Sequence, residues 1–255
     1  MDESIVNYKD KLRRYFRFNK EEIKIILIAI FTFSFILSFD QWGKESFDVA
    51  AGLFHFSIAL IIVSISMFIH ETSHRLVALY TGFRAETKLW WHGIWIGLIL
   101  CVISRGKFMM FAATGVWMHH LAYHRLGWFR YGPNTLAFSL ISLVGPLTNL
   151  FVGTFFKELS NIFTFSDPIN SLFQQIFFFN LLFAAWNLLP IPPLDGSRVF
   201  FASRLTYVFV AGSIIAYAIL VVLGIYSYIF ALLLGGLAWL LFYIAFESKL
   251  VYIKK

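Results

Sequence analysis

Six separate stretches of this 255-residue chain are apolar over lengths that match a bilayer, and that pattern limits its architecture more than any other property. They cover residues 23–39, 53–80, 136–156, 169–189, 205–226 and 228–246. A hydrocarbon core of about 30 Å takes about 20 residues of helix, and inside it each backbone polar group must bond within its own segment. Composition agrees, with 59% hydrophobic and only 14% charged residues, far from the roughly 25% charge of soluble domains. The expected fold is an all-α polytopic membrane protein with about six transmembrane helices. A further apolar stretch, 89–103, is short for a span and rich in aromatic and β-branched residues, so it is read as a small re-entrant or sheet-like β segment between the second and third spans. If 89–103 and 108–122 both crossed, there would be eight spans and the same parity.

Charge sets the expected orientation, because positive residues collect on the cytoplasmic side of span ends. The arm before the first run carries Lys9, Lys11, Arg13, Arg14, Arg17 and Lys20, which places the N-terminus inside. Six crossings then keep Arg84, Lys88, Arg105, Lys107, Arg125, Arg130, Arg198, Arg204, Lys249, Lys254 and Lys255 inside, leaving only Lys44 and Lys157 outside. Both termini are therefore expected to be cytoplasmic, in the cell membrane. This asymmetry accounts for the net charge of +7 without a nucleic-acid partner. The expected partners are the bilayer and a transmembrane protein substrate. The basic arm, residues 1–22, also carries Tyr8, Leu12, Tyr15 and Phe16 at near-helical spacing and suits an anionic inner leaflet. The run after it ends at Ser38-Phe39-Asp40 without a small-residue cleavage pattern, so it reads as a retained first span. A lone cysteine, Cys101, excludes an internal disulfide and a cysteine-based zinc knuckle. No repeat or long polar linker divides the chain, and 1–255 reads as one membrane-embedded domain, with a core at 53–204 and two further spans at 205–255.

Within the second run the chain reads His70-Glu71-Thr72-Ser73-His74. Ionisable groups at membrane depth cost roughly 2.5 kcal/mol or more each and are read as functional. Histidines four apart share one helical face and can converge on one zinc ion, with the carboxylate of Glu71 beside the metal's open position. A catalytic zinc needs a third protein ligand. The candidate is Asp195, which follows Pro190-Ile191-Pro192-Pro193-Leu194 and precedes Gly196. Prolines there break the helix that ends near Leu189, and a break at that depth is tolerated where it lines a cavity. Gly145-Pro146-Leu147-Thr148-Asn149 in the third run permits close helix approach; Asn149 reads equally as a substrate or oxyanion contact and as an interhelical hydrogen bond. His55 is on the helix of His70 but about 22 Å away, too far to join the site. His120 and His124 repeat the four-residue spacing with His119 nearby but no acid beside them, and read as an interfacial belt.

Together, His70-Glu71-x-x-His74 in one span, Gly145-Pro146-x-x-Asn149 in another and Asn187-x-x-Pro190 running to Leu194-Asp195-Gly196 in a third resemble the site-2 protease family in order and in membrane placement. The resemblance covers roughly residues 53–204. It implies an intramembrane zinc metalloprotease that cuts transmembrane segments of other proteins, with one zinc ion held by His70, His74 and Asp195. Glu71 would be the general base, and Asn149 and Asn187 would position substrate. Thr72-Ser73 departs from the Leu-Gly pair commoner between such histidines. Two rival functions remain at this point: an inactive membrane-protein chaperone or assembly factor that keeps the fold, and a metal transporter built on the broken span.

Overall fold

A computed structural model describes residues 3–43, 47–121, 135–163 and 165–248. Along the chain lie α1 (Glu3–Tyr15), α2 (Lys20–Ser38), α3 (Val49–Thr81), β1 (Phe83–Leu89), α4 (Trp91–Ile103), β2 (Thr114–His120), α5 (Thr135–Ile162), α6 (Asp167–Asn187), α7 (Asp195–Ala202), α8 (Arg204–Val222) and α9 (Tyr228–Phe242). Among the described residues, six helices are long and apolar enough to cross a membrane: α2, α3, α5, α6, α8 and α9, with short turns extending α2 to Gln41 and α9 to Glu247. The molecule is thus an all-α polytopic membrane protein with one small sheet.

Local sequence explains where the spans begin and stop. Asn19 caps α2, accepting from the Glu22 amide while the Glu22 carboxylate accepts from the Asn19 amide, a reciprocal box that satisfies two otherwise orphan donors. Asp48 caps α3, which ends at Gly82 in the left-handed region at φ 87°. At 33 residues, α3 is about 50 Å long and exceeds a 30 Å core. His70 and His74 therefore lie towards its far end, the end at which α6 also stops and α5 starts.

The expected small β element between the second and third spans is present, but 89–103 itself is not the strand. Residues Trp91–Ile103 form helix α4, and the strands flank it: β1 pairs antiparallel with β2 in a register that sets Arg84 opposite His119, Thr87 opposite Val116 and Leu89 opposite Thr114. With 13 residues α4 rises only about 20 Å and cannot span. Its buried residues Gly93, Gly97 and Cys101 recur every four positions. The bare faces of Gly93 and Gly97 let the helix settle on the carbonyls of Ala112 and Met110. Helical period, not strand period, governs this stretch. The eight-span alternative falls with it, since 114–120 is a strand.

Packing joins these parts through several apolar clusters. Phe33 of α2 stands edge-on to Phe111 and Phe183, with ring centroids 5.6 Å apart in both pairs, and Phe183 reaches His70 at 4.7 Å. A second core joins α5, α6, α7 and α8 through Leu143, Leu188, Val199 and Tyr207. By contrast, α9 presents most of its surface outward, as a helix facing lipid does.

Candidate metal centre

His70 and His74 sit one turn apart on α3, and both are buried. Their Nε2 atoms face each other at 3.0 Å. On the far side of each ring, Nδ1 meets an oxygen: Asn149 Oδ1 at 2.5 Å for His70 and the Ile141 carbonyl at 2.6 Å for His74. A carbonyl only accepts, so His74 carries its proton on Nδ1 and presents the Nε2 lone pair inward; His70 does the same against the amide oxygen. Two lone pairs aimed at one point call for a cation between them.

Asp195 supplies the third side. Leu188 ends α6, its carbonyl accepting from the Tyr207 hydroxyl at 2.8 Å, and the turn through Pro190–Pro193 starts a new helix at Asp195. Gly196 matters here, because any side chain at that position would overlap the Leu188 and Leu189 carbonyls. Asp195 Oδ2 lies 3.5 Å from His70 Nε2 and 3.3 Å from His74 Nε2, and Oδ1 is buried with no hydrogen-bond partner.

The residues fit a metal ion. A tetrahedral site with bonds of about 2.0–2.1 Å has edges of about 3.3 Å. The three donor separations of 3.0, 3.3 and 3.5 Å match that edge. The arrangement also depends on Gly145 of α5, where a Cβ would overlap the imidazoles of both His70 and His74. Among the described residues, His70, His74 and Asp195 form the group of buried ligand-type side chains able to hold a metal.

Glu71 is buried beside this group. Its Oε2 accepts a short hydrogen bond from the Thr87 hydroxyl of β1, and its Oε1 lies 3.5 Å from the Thr114 hydroxyl of β2. Both threonines project from the same face of the hairpin. Asn149 is fully buried, with both ends of its carboxamide engaged: Oδ1 with His70, and Nδ2 donating to Asn180 Oδ1 at 2.6 Å. Asn180 donates in turn to Ser66 Oγ at 2.9 Å. Asn187 is buried at the end of α6 and donates to its own helix at the Phe183 carbonyl, 2.8 Å away. His119 stands apart on the outer face of the strand pair, 3.4 Å from Glu86; His120 packs against Phe83 with ring centroids 4.6 Å apart and the rings tilted; His124 lies outside the described residues. His55 lines a crevice of about 320 Å³ at the other end of the bundle with Asp40, Gln174 and Gln175.

Sequence reasoning passed over Arg75, Glu22, Thr87, Thr114 and Asn180. Two carried a signal: Arg75 is a charge inside a span next to His74, and Asn180 is an amide within an apolar run. The threonines carried none, because only the hairpin register brings them to Glu71.

A multi-pass membrane protein with a buried His-His-Asp cluster and an adjoining carboxylate has the donor set of a zinc hydrolase. The chain is 30% identical over 184 residues to Putative zinc metalloprotease MJ0611 of Methanocaldococcus jannaschii, covering 72% of this chain and 85% of that protein. It is also 30% identical over 156 residues to Putative zinc metalloprotease YwhC of Bacillus subtilis, covering 58% of this chain and 68% of the relative. It belongs to the family of these zinc metalloproteases. No protein-family model and no solved structure matches it.

Proposed function

We propose that this chain is an intramembrane zinc metalloprotease of the site-2 protease kind, hydrolysing peptide bonds within or near transmembrane segments of other membrane proteins, with both its own termini in the cytoplasm. The observation that carries the reading is the convergence of His70, His74 and Asp195 at tetrahedral spacing inside a bundle of apolar helices, with Glu71 alongside. His70, His74 and Asp195 would hold the zinc ion; bound there, zinc supplies Lewis acidity and lowers the pKa of a coordinated water towards 7. Asn149 and the Ile141 carbonyl fix both imidazoles with Nε2 inward. Glu71 accepts the proton of the attacking water and returns one to the leaving amine, so that the amine departs neutral. Phe183, packed on His70, keeps that side of the site apolar and dry. Asn187, at the end of α6 beside the Asp195 turn, serves as a substrate contact, and Asn149 acts from behind His70.

Substrate carbonyls in a helix are tied into hydrogen bonds and must be freed before attack. The β1–β2 strand pair, whose Thr87 contacts Glu71, is the element that would pair with such an unwound stretch. The test is cleavage of a transmembrane protein in liposomes by zinc-loaded protein and by Glu71→Gln. The wild type should cut and the variant should fall by about 10²- to 10⁴-fold while keeping its zinc. Equal cleavage by both would refute the assignment, and capture of intact membrane proteins by an inert wild type would favour an assembly factor.

A further inference from the structure

Within that reading, which it presupposes, Glu71 needs one carboxylate oxygen free to take a proton, and the structure shows what selects it. Three groups approach the carboxylate. Arg75 Nη1 is 3.6 Å from Oε2 and Thr114 Oγ1 is 3.5 Å from Oε1, both beyond good hydrogen-bond range. Thr87 Oγ1 alone makes a close contact, donating to Oε2. The threonine is itself pinned, since its backbone amide donates to Glu22 Oε1 at 3.0 Å. Glu22 is the capping-box residue of α2 and also pairs with the Arg75 guanidinium, which lies 3.9 Å over the Phe18 ring and donates to the Glu71 carbonyl at 3.3 Å. Glu22, Arg75 and Thr87 are all buried. The start of the first span, the histidine-bearing helix and the hairpin therefore meet at one carboxylate.

We propose that Thr87 is a positioning residue whose hydroxyl ties down Glu71 Oε2 and leaves Oε1 as the proton acceptor, with Glu22 and Arg75 fixing where that hydroxyl stands. Buried in a site without bulk water, an untethered carboxylate would rotate among wells, and a misplacement near 1 Å is enough to cost about 100-fold in rate.

The experiment uses the full chain in liposomes with Thr87→Val, which keeps shape and β-branching but removes the hydroxyl, and Thr87→Ser, which restores it. Thr87→Val should lower kcat about 10- to 100-fold with KM within about twofold and zinc content unchanged, and Thr87→Ser should return kcat to within about threefold of wild type. Wild-type kcat in Thr87→Val overturns the proposal. So does a Thr87→Ser as slow as Thr87→Val, which assigns the loss to packing, or loss of zinc, which assigns it to the ligands. Glu71→Gln in the same assay separates the premises: if it cleaves like wild type, the role of Glu71 and this proposal fall together. A readout without turnover comes from thermal unfolding of Thr87→Val, Glu71→Ala and the double variant. Their shifts should be non-additive, and additive shifts would refute the contact.

Discussion

Replacing Gly145 with alanine opposes two expectations of different sign. In an ordinary helix interior, alanine in place of glycine stabilises by roughly 0.5–1 kcal/mol. At position 145 the added Cβ would stand 2.6 Å from His74 Cε1 and 2.7 Å from His70 Cε1, and would overlap His74 Nε2 as well. Carbon atoms rest about 3.5–4.0 Å apart, so the rings must withdraw by about 1 Å. Overpacking of this size costs about 1–3 kcal/mol, and metal–ligand distances tolerate only about 0.2 Å. The cost therefore falls on the ligand cluster and weakens zinc binding by about 5- to 150-fold. Zinc retained by purified protein after equilibration against graded chelator measures this, alongside the melting temperature. Gly145→Ala should lose zinc at lower chelator concentrations than wild type and melt at lower temperature. Unchanged zinc retention with a raised melting temperature would refute the claim that Gly145 exists to admit the two imidazoles.

Asn180→Ala should weaken zinc binding by about tenfold without touching a ligand, because the Asn149 amide that orients His70 loses its acceptor in a buried setting; wild-type affinity in a chelator competition would show that the relay is idle. Asp195→Ala should lower the zinc content of the purified protein, and full zinc occupancy after that change would remove Asp195 from the ligand set.

The six spans and the His-Glu-x-x-His cluster were legible because both depend on local pattern: span length against bilayer thickness, and helical spacing within one turn. Asp195 was legible for a less local reason, that a proline-broken helix with a carboxylate inside a membrane protein needs a cation. The two strands lie on either side of the expected β segment, 89–103, instead of within it. The run Phe83–Leu89 does alternate, with Phe83, Ala85 and Thr87 buried and Arg84, Glu86 and Lys88 outward, but the longer apolar run after it drew the strand reading onto what is helix α4. Asn149 shows a different limit. Chemistry alone left substrate contact and interhelical bond equally open, and the orientation of one carboxamide relative to His70 and Asn180 is a three-dimensional fact. The cluster of Glu22, Arg75 and Thr87 was hidden similarly, since it joins residues from α2, α3 and β1 that are 53 and 65 positions apart from Glu22.

Zinc K-edge absorption on the purified wild-type protein tests the central claim most directly, because it reads the donor atoms themselves. The expected result is one zinc per chain with two imidazole nitrogens and oxygen donors at about 2.0–2.2 Å, and no sulfur. A protein that takes up no zinc, or a zinc shell without two imidazoles, would contradict the assignment of His70, His74 and Asp195.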